Sequence, residues 1–491
     1  MHNIAFTSLS ALLSIGSAFG GQIPGFGDFQ RGISAAQRPK EFIASGTPVI
    51  SNVTTPGKLR VVENSGICET TPGVYQASGY GDISASDSIW FWFFESRKNP
   101  KNAPLALWFN GGPGSSSMIG LFQEHGPCRI TNDSLSVAHN PFSWNNEANV
   151  LYIDQPIGTG FSYGDATVGT SQEAAADVWS FLQIFLTDKR FSHLKTNKLA
   201  LWAESYGGHY APVFAAHFLK QNEKILAGKA SGTILNLQVL GIGDGITNPL
   251  VQYPGYLQYS AFNPYHYPLV DESVLAAAND SWNEPGTGCR DMLIACNGPN
   301  GTNTICSAAQ DVCNDNILYP LVGVFDPYYI PSLWPDSYPP PLEEYINDIA
   351  PTIGGLVPWI QNSEFVYTNF AATGDWMRNS SPDLEFVINS GVRTIIYDGD
   401  ADYILNFNGV EAMVDDLKTI WSPIYKTQKF KTFSVRGEET GIYKNAGRFS
   451  YVRIFGAGHE VPAYKYGNLD YGEAAAQMFT QIMRDESLSS T

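Results

Sequence analysis

Trp202-Ala203-Glu204-Ser205-Tyr206-Gly207-Gly208 follows a short apolar run, residues 199–203, and precedes a helix-compatible segment. An apolar strand, a sharp turn and a helix form the context of a nucleophile elbow, in which a strained turn lifts a serine hydroxyl above the edge of a sheet. Such a turn has room only for small residues on both sides of the serine. Here they are Ala203 and Gly207, so the pattern is Ala-x-Ser-x-Gly rather than Gly-x-Ser-x-Gly. The competing reading is an ordinary loop serine, and the rest of the chain decides between them.

Outward from the elbow, brief apolar runs recur at residues 89–94, 105–109, 150–153, 239–242, 394–397 and 452–455. Continuous apolar runs of this length suit strands buried on both faces of a mostly parallel sheet. Helical patterns lie between them. In residues 173–186, Val178, Phe181, Leu182 and Phe185 share one face, and Thr170 with Glu173 predicts a capping box. Alternating strands and helices predict an α/β fold. Between about residues 244 and 376 the strand runs give way to Tyr, Pro, Asn and four of the six cysteines. This predicts a disulfide-stapled cap insertion over the strand ends, where sites form in such folds. Residues 339–341, three consecutive prolines, read as a surface loop.

Two further runs end in residues that can work with Ser205. Residues 394–397 lead into Asp398-Gly399-Asp400-Ala401-Asp402, and residues 452–455 lead into Gly456-Ala457-Gly458-His459. The order Ser, acid, His is that of α/β hydrolases. His459 would take the Ser205 proton and return it to the leaving amine, while the acid fixes the imidazole tautomer. The residues alone do not choose among Asp398, Asp400 and Asp402. His209 and His217, on the helix after the elbow, compete with His459 for the role of base.

Bulk properties narrow the class. The 491 residues are 43% hydrophobic and 15% charged, which suits a large buried core. A net charge of −18 argues against a nucleic-acid partner and agrees with work in acidic fluid. Residues 5–19 are apolar but too short to span a bilayer, and small residues follow; this reads as a signal peptide over residues 1–20, although its start carries only the α-amine and His2. The mature chain, 21–491, is then expected as a single soluble catalytic domain without a membrane anchor, secreted or vacuolar. Six cysteines allow fifteen connectivities; we expect Cys68–Cys128 and a nested pair, Cys289–Cys313 around Cys296–Cys306. The last four lack the close Cys spacing of a zinc site. Sequons at Asn52, Asn132, Asn279, Asn300 and Asn379 agree with export. Nothing in the sequence calls for a metal or cofactor.

Five blocks carry a family resemblance. Residues 108–116, Trp-Phe-Asn-Gly-Gly-Pro-Gly-Ser-Ser, resemble the oxyanion-loop signature of serine carboxypeptidases, and residues 204–208 resemble their nucleophile motif. Residues 149–163, with Asp154-Gln155-Pro156, are similar to a third family block. Residues 399–406 resemble the acid block, and residues 456–462 the histidine block. The blocks follow in family order from about Tyr75 to the C-terminus.

The resemblance implies an α/β-hydrolase that removes residues from peptide and protein C-termini through an acyl-enzyme. It places the triad acid at Asp402, beside Ser205 and His459, and the oxyanion hole at the N–H groups of Gly112 and Tyr206. Asn110, Gly111 and Glu204 would bind the substrate's terminal carboxylate. Two carboxyls in contact share a proton, so binding is expected to favour acidic pH. Glu124 and Glu460 align near the pocket for the departing residue, where two acids would favour C-terminal Lys or Arg; the competing reading has them solvated or bonded elsewhere. Relatives often carry Cys at the position of Ser115, so the bridge made there is absent or replaced. An acyltransferase or lyase on this scaffold, and a non-catalytic binding protein, are the competing functions.

Overall fold

In the computed structural model, which describes residues 50–491, the apolar runs form strands with both faces covered. The expected signal peptide lies outside the described residues. In chain order the first strands are β1 (Leu59–Glu63), β2 (Gln76–Asp82), β3 (Ser88–Phe94), β4 (Leu105–Phe109), β5 (Cys128–Ile130), β6 (Val137–His139), β7 (Asn149–Ile153) and β8 (Leu199–Glu204). They continue with β9 (Leu237–Gly243), β10 (Phe325–Asp326), β11 (Tyr329–Leu333), β12 (Arg393–Gly399), β13 (Lys431–Val435), β14 (Glu438–Ala446) and β15 (Phe449–Ile454). Eleven of these make one sheet, in the order β1-β2-β3-β7-β4-β8-β9-β12-β15-β14-β13. The six central strands, β7 to β15, are parallel. Both margins are antiparallel.

Alternation along each strand feeds two cores. Phe91, Phe93, Leu107 and Leu201 enter one, under helices α1 (Ser171–Thr187) and α2 (Gly207–Leu226). Trp90, Trp92, Trp108 and Trp202 enter the other, together with Met478, Phe479 and Ile482 of the helix Glu473–Met483. Each large apolar side chain so buried contributes roughly 1.5–3 kcal/mol. The predicted face of α1 is the buried one. Its capping box is only half formed. The Glu173 N–H donates to Thr170 Oγ1 (3.3 Å), but the Glu173 carboxylate accepts from the Gly169 N–H (3.0 Å), one residue upstream of the reciprocal position.

Between β9 and β12 no strand joins the main sheet. This stretch holds short helices, among them Cys289–Cys296 and Asn303–Cys313, and the β10–β11 hairpin. Cys289–Cys313 and Cys296–Cys306 staple the two helices, and Cys68–Cys128 ties the chain before β2 to β5, as expected. The proline run departs from expectation: Pro340 is buried, and its carbonyl accepts from Gln123 Nε2 (2.8 Å).

Because β8, β12 and β15 are parallel, their C-terminal ends lie on one rim. Ser205, Asp402 and His459 all follow these ends within a few residues.

Candidate active site

The elbow is strained as its sequence requires. Ser205 has φ +64°, a left-handed conformation that costs a non-glycine residue energy and is retained where the surroundings impose it. Two carbonyl-side bonds and one N–H bond impose it here. The Gly208 N–H (2.9 Å) and Ile246 N–H (3.1 Å) donate to the Ser205 carbonyl, and the Ser205 N–H donates to the Gly243 carbonyl (3.0 Å). A Cβ on Gly207 would strike Ala203, and one on Gly111 would strike Tyr206 N and Ser205. The Tyr206 hydroxyl is anchored on buried Asp375 (2.6 Å).

Of the three aspartates after β12, Asp402 is the one that meets His459. His459 Nδ1 lies 2.9 Å from Asp402 Oδ2, and both side chains are fully buried. The Asp402 oxygens also accept from the Ile404 N–H (2.9 Å) and Leu405 N–H (3.2 Å). Burial disfavours a charged imidazole, but Asp402, with Glu204 and Glu460, outweighs it and raises the His459 pKa. Asp400 instead accepts from the Tyr265 hydroxyl and the Gly456 N–H, and Asp398 is buried beside Tyr451 and Glu411. His209 is bonded to Ser380 Oγ (2.7 Å) and the Trp376 carbonyl (2.9 Å), inside the fold. His217 meets Gln221 on its own helix. Among the described residues, Ser205 Oγ and His459 Nε2 are buried without a hydrogen-bond partner, the two atoms a proton would pass between.

Asn110 organises a buried carboxyl cluster. Its Nδ2 donates to Glu204 Oε1 (2.7 Å) and Glu124 Oε1 (3.3 Å), while Trp108 Nε1 (2.7 Å) and the Gly120 N–H (3.0 Å) donate to its Oδ1. All four side-chain hydrogen-bonding positions of the amide are used, so its orientation is fixed. Burial, then the charges of Glu204 and Glu460 and a hydrogen bond to Glu204, push Glu124 well above the ordinary carboxyl range. Glu124 thus lies against Asn110 and within reach of the charges of both Glu204 and Glu460. Glu460 directly follows His459 and is buried.

The loop after β4 is held by Asp154, to which the sequence assigned no role. Asp154 Oδ1 accepts from Ser116 Oγ (2.7 Å) and the Ser117 N–H (2.9 Å), and Oδ2 from the Phe161 N–H (3.0 Å). Burial raises its pKa to about 7. The third family block thus supports the first. Ser115, at the position where relatives often carry Cys, donates through Oγ to Asn362 Oδ1 (2.7 Å), a hydrogen bond that links the loop to the insertion. The N–H groups of Gly112 and Tyr206 donate to no other described residue. All five sequon asparagines are exposed.

A sheet with a parallel centre, a strained serine, a buried Asp–His pair and these loops on one rim defines an α/β hydrolase. Comparison with known proteins narrows it. The serine carboxypeptidase family model matches residues 66–330 and 342–485. Carboxypeptidase S1 of Penicillium janthinellum is 39% identical over 435 residues, spanning 88% of this chain and 100% of that protein. Carboxypeptidase Y of Schizosaccharomyces pombe is 35% identical over 79% of this chain and 40% of its own length. A solved prohormone-processing carboxypeptidase of Saccharomyces cerevisiae shares the fold, with TM-score 0.67 and 22% identity over 87% of this chain and 92% of that one. The chain belongs to the serine carboxypeptidase family, and it is a hydrolase of the exopeptidase kind.

Proposed function

We propose that Ser205 attacks the carbonyl of the last peptide bond with His459 as base and Asp402 holding the imidazole. The Ser205 proton passes to His459 and then to the leaving amino acid, an acyl-enzyme remains, and water cleaves it by the reverse proton path. The oxyanion forms against the N–H groups of Gly112 and Tyr206; losing one such donor costs about 2.7–4 kcal/mol. The observation that carries the exopeptidase reading is the Asn110 amide fixed between two glutamates. A protonated carboxyl in that cluster donates to the substrate's free carboxylate, and ionised it repels it. Binding then weakens as pH rises and the cluster loses its proton, which gives an acidic working range.

Glu124 and Glu460, which feel each other's charge, are the acids for a basic departing residue. Faster release of C-terminal Arg than Leu supports this; a clear Leu preference sinks it. We further infer that residues 21–491 act as one catalytic domain capped by 244–376. Removal of residues 1–20, glycosylation at the five sequons and secreted or vacuolar delivery complete the reading. Exposure of all five sequons supports it.

The deciding assay pairs an N-blocked dipeptide with its C-terminal amide at about pH 4–5. Fast release from the acid, slow release from the amide and loss of both in Ser205→Ala is the expected outcome. Folded protein inert on both substrates would favour an acyltransferase or a binding protein.

A further inference from the structure

The insertion reaches the Asp–His pair through its main chain. At the β10–β11 turn, the Pro327 carbonyl accepts from the Tyr403 N–H (3.1 Å) and Ile404 N–H (2.9 Å), and the Ile330 N–H donates to the Ala401 carbonyl (2.9 Å). These three contacts bracket Asp402. The next carbonyl, that of Tyr328, accepts from the His459 N–H (2.9 Å). The Tyr328 ring also meets the His459 ring edge-on at 5.4 Å. A Cβ on Gly458 would strike the Tyr328 carbonyl, so the histidine loop is fitted closely to this turn.

One side chain gives the turn its shape. Asp326 is 4% exposed. Its Oδ1 accepts from the Tyr328 N–H (2.8 Å) and Tyr329 N–H (3.2 Å), and its Oδ2 from the Asp336 N–H (3.2 Å). The first two bonds curl the backbone so that successive carbonyls, Pro327 and Tyr328, point to two different loops. This is an Asx-type turn serving as a splint.

We propose that Asp326 is a positioning residue for the reaction: it folds the 326–330 turn whose carbonyls hold the Asp402 and His459 loops in register. The proposal rests on the assignment of Asp402 and His459 made above. Asp326 itself touches no reacting atom. Asn110 and Gly111 follow β4 and Glu204 ends β8, all outside the hairpin, so KM should depend on the turn less than kcat does.

The test measures kcat, KM and the pH profile of kcat for Asp326→Ala and Asp326→Asn. A small misplacement of a reacting pair costs up to about 100-fold, so Asp326→Ala is expected to lower kcat by about 10- to 100-fold with KM nearly unchanged. His459 is faced by Asp402 from the acid loop, Glu204 from the elbow, Glu460 from its own loop and Tyr328 from the hairpin. Slackening only the Asp402 contact lowers the imidazole pKa, so the acidic limb of kcat moves to lower pH. Asp326 faces Asp336 and Tyr464, neither of which contacts the pair directly. Asp326→Asn keeps the Oδ1 acceptor and is expected to restore most of kcat and the position of the limb. A folded Asp326→Ala variant with wild-type kcat, or one altered in KM alone, overturns the proposal. If Asp326→Ala does not fold, Pro327→Gly carries the test, since it keeps the carbonyl and frees the backbone: lowered kcat with the same limb shift supports the splint, and wild-type kcat overturns it. Asp402→Asn and His459→Ala separate the two layers. If they leave turnover intact, the pair assignment fails; if they abolish it while Asp326→Ala does not, only the splint fails.

Discussion

The parallel centre of the sheet and the stapled insertion serve the same few atoms by different means. The centre supplies side chains: Ser205, Asp402 and His459 stand just beyond the ends of β8, β12 and β15, strands of the buried parallel centre. The insertion supplies mainly backbone: the carbonyls of Pro327 and Tyr328, and that of Gln361, which accepts from the Ser116 N–H. A side chain on a strand end is placed by the fold as a whole. A carbonyl on a turn is placed by local bonds, so the insertion needs its own fasteners, two disulfides and the Asp326 turn.

Breaking the centre has the largest expected effect. Ser205→Ala or His459→Ala should lower kcat by at least about 10⁴-fold without lowering the melting temperature, measured by steady-state kinetics and calorimetry. Asn110→Ala should leave the nucleophile intact yet collapse the preference for acid over amide substrate. Losing hydrogen bonds to charged groups costs about 1.5–3 kcal/mol, or roughly 10- to 150-fold in that ratio.

Breaking the insertion should act on stability before chemistry. Replacing Cys296 and Cys306 together by Ser reopens a short loop and should cost about 2–3 kcal/mol by denaturant titration, with kcat reduced less than in any triad variant. A triad-sized loss of kcat in this stable but unstapled protein would erase the distinction between the two regions.

The smallest effect joins them. Burial lifts Asp154 to about 7 and both Asp400 and Asp326 to about 6, above the ordinary 3.8. The native protein therefore binds more protons than the unfolded chain between about pH 4 and 7, and stability falls as pH rises through that window. The melting temperature should be higher at pH 4.5 than at pH 7. Asp154→Asn, which cannot ionise, should narrow that difference.

The sequence was most legible where chemistry and fold use the same letters. The elbow, the histidine loop and the six central strands each follow an apolar run into small or charged residues. The acid was not readable, because Asp398, Asp400 and Asp402 share one turn and only the fold turns Asp402 toward His459. The outer strands β1, β2, β13 and β14 were missed for a different reason. β2 reads Gln-Ala-Ser-Gly-Tyr-Gly-Asp, with little apolar signal, yet it is fully buried, and Gly79 is required because a Cβ there would strike the Arg60 carbonyl. Asp154 was visible in its block but silent about its partners, since it holds a hydroxyl and a backbone N–H rather than an opposite charge. The 326–330 turn left only a local mark, since Asp326 before Pro327 reads as an ordinary turn and nothing in the sequence says which loops its carbonyls reach.

The Ser115–Asn362 contact has a redox consequence. Thiol reductants open the three disulfides but cannot touch this link, so the loop of residues 110–117 keeps its tether in a reducing medium. Reduction should therefore loosen the cap while leaving the floor of the site in place.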